Sequence, residues 1–392
     1  MILAERAKKL KSSVTLAASA KANALKAAGE DILTLTVGEP DFATPQNIQD
    51  AAISAIQSGN ASYYTPTAGI PALKSAIIAR TEKDYGFKPN SQNIIVTDGA
   101  KFALYTLFQV ILNPTDEVII PTPYWVSYGE QVNMAEGVPV FVKATRSNHF
   151  KVSVAQLEAA RTAKTKAVII NSPSNPTGSI YSKEELTLIG NWAVENNILI
   201  ISDDIYGKLV YNGAEFTPLA SISEAIQKQT VIINGVSKAY AMTGWRIGYA
   251  IADESIISAM TKIASQSTSN PTAVSQYAAV EALNGSQEMV ETMRQAFEAR
   301  LNEIYPLVAE IPGFEIDKPE GAFYLFPDVT EAMKLKGFND INEFTNALLT
   351  EAKVALVTGA GFGAPENIRM SYATDLETLK EAVKRIKAFM VE

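Results

Sequence analysis

The sequence predicts an α/β fold: a mostly parallel sheet covered by helices on both faces, with a smaller α+β domain formed by the N- and C-terminal segments. Three observations point there. Short Val/Ile-rich runs recur between residues 94 and 251, segments with apolar residues at helical spacing separate most of them, and beyond about Ala273 the texture changes to long amphipathic helices. Strands that are continuously apolar, rather than alternating, are buried on both faces, and intervening helices supply that cover in βαβ units. With 392 residues, 47% of them hydrophobic, the chain is long enough for two cores.

The runs are residues 94–97, 117–120, 138–142, 167–170, 198–202, 231–233 and 247–251, each rich in β-branched residues that suit a pleated, buried surface. Helical spacing extends from Gly99 to Leu112 and from Lys183 to Glu195. Further short strands are expected near 314–316 and 323–326, with another carrying Arg369, and an N-terminal helix around 15–28 joins the smaller domain. The expected divisions are an N-terminal arm over 1–46, a large domain over 47–282 and a small one over 283–392.

Composition removes several function classes. A net charge of −8 without a long basic run argues against nucleic acid or an anionic membrane as partner. The absence of cysteine removes disulfides, thiolate metal sites and cysteine nucleophiles. The single histidine, His149, sits in a polar stretch and reads as an exposed loop residue, so histidine triads and multi-histidine metal sites are excluded. No signal-peptide order or membrane-length apolar run occurs, and a cytoplasmic location is expected. Acid–base chemistry then falls to Lys, Asp, Glu or Tyr, or to a cofactor.

In an open parallel sheet the ligand crevice lies beyond the carboxyl ends of the strands. Asp98-Gly99-Ala100-Lys101 follows the first run and opens a helix, where small residues let backbone N–H groups approach a phosphate. Turns of this kind are common, and alone it carries little. Asn171-Ser-Pro-Ser-Asn175-Pro-Thr-Gly178 follows the fourth run and by itself reads as a Pro/Gly turn. Asp203-Asp204-Ile205-Tyr206 follows the fifth, and two carboxylates ending a buried strand are costly unless partnered. The last two runs enclose Asn234-Gly-Val-Ser-Lys238-Ala-Tyr-Ala-Met-Thr-Gly-Trp-Arg246. A lone lysine is ordinarily a surface residue, but one between two core strands, near an arginine, is placed to lose its proton and act as an imine-forming nucleophile. The planar fork of Arg246 suits a phosphate.

An imine-forming lysine, a phosphate cradle, a carboxylate for a ring nitrogen and an aromatic ring to stack on are together what pyridoxal phosphate requires. Through Asn175-Pro-Thr-Gly178, Ser202-Asp-Asp-Ile-Tyr206 and Ser237 to Arg246, in that order and spacing, the chain resembles the class I, aspartate-type aminotransferases of pyridoxal-phosphate fold type I. The resemblance runs from Val37 to Tyr372 and is closest to the aspartate/prephenate subgroup.

It implies pyridoxal 5′-phosphate as cofactor, with Lys238 as its lysine and acid–base group, Asp203 beside the pyridine nitrogen, and Tyr206 and Asn175 on the phenolic oxygen. Trp125 would stack on the ring, although a core tryptophan is the plainer alternative. Gly99, Ala100, Lys101 and Arg246 would surround the phosphate side, with Tyr64 reaching across from a second subunit of a homodimer. Arg369 would grip the substrate α-carboxylate beside Gly38, Trp125 and Asn175. Lys101 would serve the distal carboxylate, and Lys11 matches a lysine linked to prephenate use. The expected reaction is ping-pong transfer between L-aspartate and 2-oxoglutarate. Prephenate, aromatic, alanine or kynurenine substrates, a carbon–sulfur lyase and, more distantly, a non-catalytic cofactor-binding regulator stay open. One departure stands out: the family's phosphate-binding serine, three positions before the lysine, is Gly235 here. Cis bonds are expected before Pro123 and Pro176.

Overall fold

The computed structural model describes residues 3, 4, 7, 8, 10 and 12–391, so that Lys11 lies outside the described residues. A two-residue strand, Leu33–Thr34 (β1), precedes the central sheet. Among the described residues that sheet comprises Ile94–Thr97 (β2), Glu117–Thr122 (β3), Val138–Lys143 (β4), Thr165–Asn171 (β5), Leu199–Asp203 (β6), Thr230–Gly235 (β7) and Gly248–Ile251 (β8). Its order is β2-β8-β7-β6-β5-β3-β4. Only β8 runs against its neighbours, antiparallel to both β2 and β7, and the remaining pairs are parallel. The expected α/β class and each of the seven predicted runs are therefore found.

The reason is visible in single strands. Successive side chains point to opposite faces, so Ala167 and Ile169 join one core with Leu104, Leu107 and Phe108 of helix Ala100–Ile111. Val168 and Ile170 join another with Leu186, Ile189 and Trp192 of helix Lys183–Glu195. Ser182 caps the second helix in a reciprocal arrangement with Glu185, which sets its start.

The second domain has its own core. Helix Glu288–Ala309 and helix Leu376–Val391 pack around Phe297, Leu301, Phe323, Phe344 and Ile386. Beside them Tyr324–Leu325 (β9), Val354–Ala355 (β10), Val357–Thr358 (β11) and Ile368–Ser371 (β12) form an antiparallel β11-β12-β9 sheet and a parallel β1-β10 pair. The N-terminal helix, Val14–Ala27, contributes Ala22 to a cluster with Leu349 and Ala355, so both chain ends build this domain. The strand expected near 314–316 is absent. Glu315 makes one isolated bridge to Asp328, because Gly313, at φ 78°, and Pro319 leave too short an extended segment between them. Cis peptide bonds precede Pro123 and Pro176, as expected, and also Pro173.

Candidate active site

The carboxyl ends of β5, β6 and β7 meet at one place. Asp203, the last residue of β6, is buried, and its carboxylate accepts from Tyr128 Oη at 2.5 Å and from the Ile205 N–H at 3.3 Å. Burial pushes its carboxyl up to about 6, against the pull of the Tyr128 hydrogen bond. Asn171, ending β5, ties the neighbouring loops together: Nδ2 donates to the Asp203 carbonyl at 2.8 Å, and Oδ1 accepts from the Asn175 N–H at 2.9 Å. Asp204 has a separate set of partners. It accepts from Ser202 Oγ at 2.6 Å and Tyr85 Oη at 2.8 Å, and burial pushes it up to about 7. The paired carboxylates are partnered, as their position demands.

Lys238 lies on the connection from β7 to β8, and its Nζ donates to the Gly38 carbonyl at 2.6 Å. Burial lowers the amine to about 8; Arg246 and Arg369 push the same way, while Glu39 and Asp203 oppose. Arg246 holds a left-handed backbone at φ 57°, and its guanidinium donates to the carbonyls of Thr243 at 2.8 Å and Asp98 at 3.4 Å. It lies against Gly99, where a Cβ would stand 2.2 Å from Nη2 and where φ is 86°; both facts require glycine. Helix Ala100–Ile111 opens beside that guanidinium, so the positive end of a helix and a cation converge.

Gly235 has a steric cause. It pairs with Gly248 across β7 and β8, and a Cβ at Gly235 would lie 2.9 Å from Gly248 Cα. A serine does not fit there, and it is Ser237 that lines the cavity.

Arg369, on β12, is fully buried with its guanidinium between the rings of Tyr324 at 4.4 Å and Phe362 at 5.1 Å. Nη1 donates to Asn175 Oδ1 at 3.0 Å, Nη2 to the Thr36 carbonyl at 2.8 Å, and the buried Nε has no partner. An arginine has five N–H groups, which leaves one on each terminal nitrogen for a carboxylate.

These groups surround a cavity of about 300 Å³. Of the predicted residues, Gly38, Ala100, Lys101, Trp125, Asn175, Asp203, Tyr206, Lys238, Arg246 and Arg369 all line it. Lys101 Nζ stands 4.9 Å from the Trp125 ring centre, its amine lowered by burial and by Arg246. Gly99 sits behind Arg246. Tyr64 is 91% exposed on the surface and does not enter the cavity of its own chain. Sequence reasoning missed Tyr128, Tyr324, Ser13, Thr15 and Leu16, which also line it. Tyr128 was within reach, lying three residues past Trp125, whose carbonyl accepts from the Tyr128 N–H in the turn that opens helix Ser127–Met134. Tyr324 lies inside the apolar run 322–326 and carries no distinguishing signal.

The fold and this cavity, with a depressed lysine, a buried carboxylate at a strand end and two separate arginines, define the class of an amino-group-transferring enzyme. The chain belongs to the family described as aminotransferase class I and II, whose model matches residues 30–386. It is 62% identical to the asparagine–oxo-acid transaminase of Streptococcus mutans serotype c, over 99% of either chain. It is 59% identical to the aspartate aminotransferase of Bacillus sp. strain YM-2, again over 99% of either chain. A solved aspartate aminotransferase from Thermus thermophilus with maleate superposes with a TM-score of 0.94 at 39% identity, covering 99% of both chains.

Proposed function

We propose that this enzyme transfers the amino group of L-aspartate to 2-oxoglutarate, giving oxaloacetate and L-glutamate in two half-reactions, with pyridoxal 5′-phosphate held in the cavity. The observation that carries the reading is the convergence of Lys238, Asp203, Arg246 and Arg369 on one cavity. The fit to the cofactor rests on the corner at Gly99: a Cβ there would stand 2.2 Å from Arg246 Nη2, so glycine lets that guanidinium lie beside the start of helix Ala100–Ile111, where a cation and free backbone N–H groups suit a phosphate. When bound, the cofactor supplies an aldehyde that takes up the amino group and a cationic ring that accepts the electron pair left at Cα.

The chain's own residues do the rest. Arg246, Gly99 and Ala100 hold the phosphate. Asp203, kept ionised by Tyr128, keeps the ring nitrogen protonated. Tyr206 and Asn175 address the phenolic oxygen, and Trp125 covers the ring. Arg369 presents the remaining N–H of each terminal nitrogen to the substrate α-carboxylate, which orients the Cα–H toward Lys238. Lys238 Nζ, its amine lowered by burial to about 8, would take the Cα proton and hold it for return once the amino group has moved to the cofactor. Lys101, reaching the cavity past Trp125, meets the distal carboxylate. The reading includes a cytoplasmic homodimer in which the exposed Tyr64 completes the phosphate site of the other subunit.

The maleate-bound neighbour and the relatives named for aspartate support a four-carbon dicarboxylate over the aromatic, alanine, kynurenine and lyase alternatives. The relative named for asparagine favours one second reading, asparagine as amino donor. Rates of glutamate formation from 2-oxoglutarate with L-aspartate, L-asparagine and L-alanine decide. Aspartate should lead; a lead by asparagine selects the second reading, and pyruvate with ammonia from cystathionine would overturn both.

A further inference from the structure

Tyr324 touches three parts of the site at once. Its ring stacks on the Arg369 guanidinium at 4.4 Å, and its Oη lies 2.8 Å from Tyr206 Oη. The same Oη backs onto Gly38, where a Cβ would stand 2.8 Å from it, so only a glycine at that position leaves the hydroxyl its place. Tyr324 is fully buried and opens β9, while Tyr206 follows β6 of the central sheet. The two rings meet edge to face at 5.9 Å, which fixes both. The charged groups acting on this pair are Arg369, Glu39 and Asp203, and Lys238 Nζ lies 6.0 Å from the Tyr206 ring centre.

A phenol carries one proton. If Tyr206 donates to Tyr324, none is left for a ligand; if Tyr324 donates, the Tyr206 proton is free to point into the cavity, and the accepted bond strengthens it as a donor. We infer that Tyr324 is a positioning residue whose hydroxyl donates to Tyr206 and aims the Tyr206 proton at the bound cofactor, while its ring holds the carboxylate-binding fork of Arg369. One rigid side chain thus sets the distance between the α-carboxylate site and the phenolic end of the cofactor. This rests on the cofactor reading above.

The test is a pH titration of the visible absorbance band of the protein loaded with pyridoxal phosphate. Tyr324→Phe keeps the ring and removes the hydroxyl. Weaker donation from Tyr206 to an anionic oxygen should raise the midpoint of the band by about 0.5–1 pH unit. The KM for L-aspartate should change less than about threefold because the stack on Arg369 survives. Tyr206→Phe should raise the midpoint further, and adding Tyr324→Phe to it should contribute less than about 0.2 unit. A midpoint unmoved by Tyr324→Phe, or shifts that add fully in the double variant, would overturn the inference. A wild-type protein with no visible band after addition of pyridoxal phosphate would instead overturn the cofactor reading, and with it the role given to Tyr206.

Discussion

Removing the Tyr128 hydroxyl should change how tightly the chain holds its cofactor, and only at low pH. Tyr128→Phe keeps the ring and its edge contact with Trp125 at 5.3 Å but deletes the 2.5 Å bond to Asp203. A hydrogen bond to a buried charge contributes about 1.5–3 kcal/mol, and each pKa unit corresponds to about 1.36 kcal/mol. The Asp203 carboxyl, already raised to about 6 by burial, should then climb by a further unit or two. The ionised carboxylate is the form that pairs with a protonated ring nitrogen, so affinity for pyridoxal phosphate should fall as pH drops through this value. With a midpoint near 7.5, about 9% of Asp203 is ionised at pH 6.5, against about 76% in the parent, a loss of about eightfold. By pH 9 the two proteins should bind alike. Equilibrium dialysis of the cofactor-free protein across pH 5–9 measures this. Equal loss at every pH would mean that Tyr128 acts through packing, and the electrostatic reasoning would be refuted.

Three further outcomes are expected. Lys101→Ala should lower kcat/KM for L-aspartate by about 10- to 100-fold, the loss of a charge-assisted contact, and for L-alanine by less than about threefold; equal losses would remove Lys101 from the distal-carboxylate role. Gly235→Ser should cost about 1–3 kcal/mol in urea unfolding, because its Cβ would press on Gly248 Cα at 2.9 Å, whereas a tolerated serine would show that β7 and β8 can separate. Asp204, raised to about 7 by burial, binds a proton in the folded state that the unfolded chain has released, so its contribution to stability falls as pH rises from about 4 to about 7. Asp204→Asn lacks that dependence, and the Tm difference between variant and parent, both cofactor-free, should move in favour of the variant by about 2 °C or more from pH 5 to pH 8. A constant difference would mean that Asp204 is ionised throughout.

Much of this site was legible because burial dictates residue type. The run 231–233 and the run 247–251 had to be core strands, which left Lys238 and Arg246 on the connection between them. Asp203 and Asp204 stood out for a related reason, since carboxylates rarely end a buried strand without partners. Arg369 needed the resemblance, as nothing local separates it from a surface arginine on a short strand. What stayed hidden was tertiary. Tyr324 and Tyr128 sit in apolar surroundings where an aromatic residue is the expected filler, and only their hydroxyl partners, Tyr206 and Asp203, reveal them. The glycine at 235 was visible as a departure, but its cause is the register that sets it opposite Gly248. The β1-β10 pair has two residues per strand, too few for any periodicity, and 314–316 misled because Phe-Glu-Ile alternates like a strand but pairs only through the single Glu315–Asp328 bridge.

One cavity, built around Lys238, Asp203, Arg246 and Arg369, is expected to pass an amino group from a dicarboxylate to a 2-oxo acid. The most direct test is the absorbance spectrum of the protein loaded with pyridoxal phosphate, followed through addition of L-aspartate and then of 2-oxoglutarate. The visible band should be replaced by that of the aminated cofactor and then restored. A band that forms but does not respond to aspartate would contradict this reading.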